Sequence, residues 1–360
     1  MAKISSVFGN VATEKLQTII DNSLSMFDVP QWKKWFSWGL PKTSLTYVTI
    51  IGKARIEAAA SVVARGSSAP IRSRAGLDKI IGQVAQLKEK FQMDEETYRD
   101  YRQMRESSIM DDTAKFNLAL EMIFGDVKLV ANSVNKRIDI LTEQALSTGK
   151  VSLSTTNNPD GIVTNADIDL QMPAGNRKNP VTVWSSVTTA DIIADLQAIR
   201  ALAKARGIVH EKMLMDETTW GYVRNNTLIK TFLTGRKDLK ISITLDALNT
   251  YLRESRLPVI ELVNGVYGVE KDGVISTVTP WLAAQVTFLP AGQAGIIHNS
   301  IPIEKFEKVA GVTYADFERA LISKWQDNDP WGEYTAVEAN LFPGWENIEQ
   351  CYILDTDTAA

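Results

Sequence analysis

The residues able to do covalent or acid–base work are few. Histidine, which titrates nearest neutral pH, occurs only as His210 and His298. Neither stands at a ligand spacing from the other or from Cys351, the single cysteine, so no zinc pattern forms. Both histidines read as satisfied or surface side chains. Cys351 lies in the apolar run CYILD and reads as a buried structural thiol. Asp327 and Asp329 could together hold a cation. Their setting, SKWQDNDPWG, lacks the calcium-loop pattern, and a solvated acidic turn is the better reading. No G-x-x-x-x-G-K-[ST] loop, no G-x-G-x-x-G after a strand and no G-x-S-x-G elbow occurs. The expectation is therefore no catalytic residue, no cofactor site and no metal site. An enzyme is the least favoured class.

The charge pattern points instead to recognition between chains. From Arg65 onward, Arg72, Arg74, Lys79, Lys88 and Lys90 face only Asp78 and Glu89. After Lys324 there is no basic residue at all. That tail carries Asp327, Asp329, Glu333, Glu338, Glu346, Glu349, Asp355 and Asp357. Such asymmetry suggests a partner, and the two halves could serve each other within one chain or between copies. The net charge of -4 argues against a strongly basic nucleic-acid binder.

The elements that position these charges follow from length and periodicity. A chain of 360 residues, 44% hydrophobic and 23% charged, suits a globular protein of about two domains. With one cysteine no intrachain disulfide can form, and a reducing setting is expected. MAKISSVFGNVATEK has no apolar signal-peptide core, and no run of about 18 apolar residues predicts a membrane helix.

Residues 13–27 predict a short amphipathic helix. FDVPQWKKWFSWGLPK follows, with Trp32, Trp35 and Trp38 between two prolines. This knot can be a lid on the local core or an anchor on another subunit. SLTYVTIIGKARIEAAASVV reads as an extended pair or long hairpin, and IRSRAGLDKIIGQVAQLKEKF as a bent extended course, ambiguous with helix.

The clearest element runs from about 111 to 148, where Phe116, Leu120, Ile123, Val127, Val130, Val134, Ile138, Leu141 and Ala145 recur at steps of three and four. Gly149 closes it. Loops and short strands are expected to about 180. Beyond them, TTADIIADLQAIRALAKARG predicts a helix opened by a Thr188/Asp191 capping box. IVHEKMLMD predicts a strand ending at a capping Asp216, before a helix in ETTWGYVRN. TLDALNTYLRES predicts a further helix. LPVIELVNG, GVISTVT and AAQVTFLPAGQAGIIH predict strands, and TAVEANLFPGWENIEQCYILDT two more. The fold class is α+β.

Three stretches carry a resemblance: ARGSSAPIRSRAGLDKIIGQVAQLKEKFQMDEETYRDY, the TEQALSTGK end of the long helix, and VWSS followed by TTADIIADLQ. With the order of segments around them, the chain resembles the major capsid proteins of tailed bacteriophages, in particular the lambda-like major capsid protein family. The resemblance covers nearly the whole chain and rests on pattern more than on invariant residues. It implies an N-terminal arm over 1–42, an extended loop over 43–92 and a peripheral domain over 93–180 with its spine helix. An axial domain over 181–330 and return strands of the peripheral domain over 331–360 complete it.

The resemblance further implies a structural protein that assembles through pentamers and hexamers into an icosahedral head around double-stranded DNA. It would assemble in the host cytoplasm and reside in the virion. Its partners would be other copies of itself, a portal, scaffold or cement proteins, and DNA touched non-specifically, with no membrane. The extended loop would lie over a neighbouring copy, with Arg65, Arg72, Arg74 and Lys79 meeting acids such as Asp94, Glu95 and Glu96. Ile71, Leu77, Ile80, Ile81 and the tryptophans would supply strength, since exposed ion pairs are worth only about 0–1 kcal/mol. Head-to-tail contacts of this kind close rings. Nothing marks Lys53 as reactive, and no covalent cross-link is expected. An encapsulin-type nanocompartment shell is the first alternative, and a tail-tube subunit the second.

Overall fold

The structure is a computed structural model that describes residues 13–22, 27–52, 77–106, 112–161, 167–235, 242–329 and 331–360. In chain order it begins with α1 (Thr13–Asn22), β1 (Phe36–Lys42), β2 (Thr46–Gly52), β3 (Leu77–Gln83), β4 (Ala85–Met93), α2 (Glu95–Glu106) and α3 (Asp112–Thr148). Short strands β5 (Lys150–Val151), β6 (Ile168–Asp169) and β7 (Arg177–Lys178) lead to α4 (Ile192–Ala205), β8 (His210–Met215), α5 (Glu217–Asn225), α6 (Thr227–Thr234) and α7 (Leu245–Glu254). Then come β9 (Val259–Leu262), β10 (Tyr267–Lys271), β11 (Val274–Val278), β12 (Gln285–Pro290), β13 (Gly295–Ser300), β14 (Thr313–Phe317), β15 (Ala320–Asn328), β16 (Trp331–Gly344) and β17 (Tyr352–Asp355).

The 37 residues of α3 span about 55 Å at 1.5 Å per residue. Its predicted stripe is observed from Val127 onward: Val127, Val130, Val134, Ile138, Leu141 and Ala145 are all buried. Gly149 ends it at φ 70, donating its N–H to the Ala145 carbonyl at 2.8 Å.

Two sheets flank this helix. The first has the order β1-β13-β16-β15-β14, with β4 also paired to β16. Only β1 and β13 run parallel there. The second has the order β7-β17-β12-β8-β9. Its strands are buried on both faces. Met213, Met215, Val286, Phe288, Tyr352 and Leu354 pack with α4 to α7, while Leu214, Leu289 and Ile353 join the core that holds α3. This period-two division explains why VTFLP and YILD are mostly apolar rather than alternating. The Thr287 hydroxyl donates to the Leu146 carbonyl at 2.7 Å and so ties the second sheet to the end of α3.

Caps follow the sequence closely. Asp216 accepts from the N–H groups of Thr218 and Thr219 at the start of α5. Asp191 itself, not Thr188, caps α4, accepting from the Ala194 N–H at 3.0 Å.

Several boundaries differ from expectation. The run AAQVTFLPAGQAGIIH is two strands in different sheets, broken where Gly292 takes φ 89. The segment 331–360 does not stay in one sheet: β16 belongs to the first and β17 pairs with β12 in the second. Strands β13 to β15 precede 331 yet lie in the first sheet. Likewise β1, placed in the expected arm, and β4, placed in the expected loop, are strands of that sheet. Backbone pairing across hundreds of residues decides these memberships, and local periodicity carries no trace of it.

Candidate functional site

Of the residues expected as an extended loop, 43–92, those of β4 pair with β16 in the first sheet. Strands β2 and β3 pair antiparallel from Thr46 with Gln83 to Gly52 with Leu77. One face of β2 is clamped to its own body. Tyr47 stacks on His298 and Phe342 at centroid distances of 4.8 and 5.3 Å, and Ile51 is buried. The Thr49 hydroxyl lies 2.7 Å from His298 Nε2. Gly82 leaves room for the Tyr47 ring, whose hydroxyl would lie 2.7 Å from a Cβ there. Burial, with a smaller effect from Lys42, pushes the His298 imidazole down to about 4, so it is neutral at neutral pH. The opposite face offers Ile50 and Ile81 to solvent, Ile81 at 67% exposure.

Arg65, Ile71, Arg72, Arg74 and Lys53 lie outside the described residues. Leu77 and Lys79 lie in β3, with their side chains outside the described set. Asp94, Glu95 and Glu96 stand exposed at the start of α2. Asp94 caps that helix by accepting from the Thr97 N–H at 2.9 Å, a bond that holds its carboxyl below the usual range. Glu95 pairs with Arg99 one turn on, at 2.5 Å. Asp94 and Glu95 therefore have roles inside α2 before any neighbour is considered.

The tryptophan knot is mostly core. Trp32 and Trp35 are each 1% exposed within their own chain and so have no surface to lend another subunit. The Trp32 N–H donates to Asp139 Oδ1 at 2.7 Å. Trp38 is half-buried, packs edge-on against Trp32 at 4.8 Å and donates its indole N–H to Glu318 at 3.0 Å.

The acids of the last strands have partners within the chain. Strands β4 and β16 pair with Lys88 opposite Glu338, and their side chains meet at 2.8 Å. Gln86 also donates to Glu338, and the Lys90 ammonium sits 4.6 Å from the Tyr334 ring centroid. Glu333 pairs with Lys324 at 3.6 Å in a buried site, and Glu349 with Arg206 at 3.6 Å. Among the described residues, one of these pairs, Lys88 with Glu338, joins the basic stretch to the acidic tail inside one copy.

Sequence reasoning missed one cluster altogether. Asp139 and Glu143 lie one turn apart on α3, facing the tryptophan segment and the turn between β9 and β10. The Tyr267 hydroxyl donates to Glu143 Oε1 at 2.6 Å. Burial pushes the Glu143 carboxyl up to about 7 and that of Asp139 up to about 6. A cavity of about 350 Å³ opens beside them. The available signal was two acids spaced i,i+4 beside an apolar stripe. Among the described residues no group of three His, Cys, Asp or Glu side chains could hold a metal ion. No described helix is long and apolar enough to cross a membrane.

Comparison with known proteins adds a family and a fold. A family model described as phage major capsid protein E matches residues 42–355. A crystal structure of a prophage chain from Escherichia coli CFT073, assigned as a capsid protein, is 15% identical. It superposes with a TM-score of 0.59, covering 96% of this chain and 99% of that one. A phage-related protein from Bordetella bronchiseptica RB50 is 14% identical with a TM-score of 0.54, covering 99% of this chain and 98% of that one. At these identities the likeness shows the fold alone. No curated protein matches the sequence.

Proposed function

The chain belongs to the phage major capsid protein E family, and from that membership we propose how it builds its shell. It is a structural shell protein of a tailed-phage head and resides in the virion. Copies join head-to-tail into pentamers and hexamers, and these close into an icosahedral shell around double-stranded DNA. The first sheet with α3 forms the peripheral domain. The second sheet with α4 to α7 forms the axial domain that faces the centre of each ring. Portal, scaffold or cement proteins are further partners, and packaged DNA is touched without sequence preference.

One observation carries this reading. The strands β2 and β3 rest on their own body by one face and present Ile50 and Ile81 outward by the other. The 24 residues between their paired ends, 53–76, hold Arg65, Arg72 and Arg74. The outward face and these bases dock on a neighbouring copy, whose exposed Asp94, Glu95 and Glu96 set the register. Apolar contact supplies the strength, and the ion pairs choose the partner. The family match favours this phage head over the nanocompartment alternative.

The test is Arg72→Glu combined with Arg74→Glu, alongside Ile81→Glu. Both variants keep the monomer's unfolding midpoint, and both cut the yield of rings or shells at least tenfold by sedimentation. Normal yield from the arginine variant would remove the bases from the interface.

A further inference from the structure

We propose that the cavity beside Asp139 and Glu143 is a binding site for a primary alkylammonium group, the head of a lysine side chain or of a soluble amine. Four features carry this. Glu143 is 0% exposed, and its Oε2 has no hydrogen-bond partner although Oε1 accepts from Tyr267. A buried oxygen left in this state calls for a donor. Asp139 stands one turn away and lines the same cavity, with its Oδ1 accepting from the Trp32 N–H, so a second carboxyl is available to an ammonium that offers three N–H groups. The remaining walls include Val29, Pro30, Leu262 and Val266, which suit an alkyl stem, alongside the amides of Asn132 and Asn135. Finally, Gly265 approaches so closely that a Cβ there would lie 2.3 Å from both Glu143 oxygens, and the absence of a side chain keeps the floor acidic.

A hard divalent cation fits less well. It takes six or more oxygen ligands, and although Asp28 also lines the cavity, no three acidic, His or Cys side chains among the described residues stand close enough to hold a metal ion. The indole N–H of Trp35 is also without a partner and asks for an oxygen, which a water accompanying the ligand supplies.

The other charged groups around Glu143 are Asp28 and Lys34 from the tryptophan segment, Lys136 on α3 and the Tyr267 phenol. Since an ammonium prefers the ionised carboxylate, binding follows Glu143 ionisation. With its carboxyl near 7, the ionised fraction rises about tenfold between pH 6 and pH 8.

The inference does not rest on the shell reading, because the unassembled full chain is titrated first. The probe is 1,4-diaminobutane, followed by calorimetry and by the thermal midpoint. The expected result is saturable binding about tenfold tighter at pH 8 than at pH 6, weakened at least tenfold by Glu143→Gln and by Asp139→Asn. Glu143→Gln keeps the size and the acceptor for Tyr267, and Asp139→Asn serves independently if that variant fails to fold. A second arm repeats the titration on assembled particles. Binding lost on assembly identifies a neighbour's lysine as the natural occupant, and binding retained identifies a free amine. No saturable binding, binding unchanged in both variants, or calcium chloride displacing the diamine through the same two carboxyls would overturn the proposal.

Discussion

Two buried residues show what the sheet costs and what holds it. Lys324 is 2% exposed, donates to the Thr335 hydroxyl at 2.9 Å and faces Glu333 at 3.6 Å. Removing one member strands a buried charge, so Lys324→Met should lower unfolding free energy by about 3–5 kcal/mol. Adding Glu333→Gln should recover part of that loss in a double-mutant cycle by denaturant titration. A single-variant loss under about 1 kcal/mol would mean that the pair is solvated on unfolding-like fluctuations.

His298 gives a pH dependence with a definite sign. Its folded value of about 4 lies below the ordinary 6.5, so the folded state excludes a proton that the unfolded chain binds. Its contribution is complete above 6.5 and is lost as pH falls from 6.5 toward 4. The full span is worth roughly 3 kcal/mol. Unfolding free energy measured at pH 7 and pH 4.5 should show a smaller difference in His298→Gln than in the natural chain. An identical difference would assign the acid sensitivity to other groups. Neither pairing was legible in the sequence. Lys324 and Glu333 meet through β15 and β16, and His298 meets Thr49 across 249 positions.

Elements whose hydrogen bonds are local were readable, and those whose bonds are distant were not. The long helix α3 came through within a residue, because its stripe and its Gly149 cap are encoded in neighbours of three to five positions. The same holds for α4, α5 and α7. Strand memberships failed where the partner is far away. Thus local pattern assigns β1 to an arm although it pairs with β13, and β4 to a loop although it pairs with β16. The Lys88–Glu338 contact is a consequence of that second pairing.

The helix offers its own test. A Cβ at Gly125 would meet nothing within 4 Å. Gly125→Ala should therefore stabilise the chain by about 0.5–1 kcal/mol, read as a higher thermal midpoint. A lower midpoint would show that this position needs glycine for close approach by another copy or for a bend.

At the scale of the whole molecule, the fold explains how one chain can be both self-sufficient and incomplete. Its cores are closed: both faces of the second sheet are covered, and the tryptophan segment is buried on α3. Outward apolar side chains are spread over several surfaces, among them Ile50 and Ile81 on the β2–β3 face, Val274 and Ile275 on β11, and Ile303 and Phe306 before β14. The candidate interface was partly legible, since the run of bases and the acids at Asp94 to Glu96 stand out in the sequence. Its base was not, because Tyr47, Thr49 and Ile51 clamp β2 through contacts with β13 and β16 residues.

If copies of this chain close shells, the particles should be visible. Electron microscopy of the purified full chain, with the Arg72→Glu/Arg74→Glu variant beside it, tests this most directly. Rings of five and six or closed shells are expected from the natural chain, and folded monomers from the variant. A natural chain that stays monomeric under all assembly conditions, while folded, would contradict it.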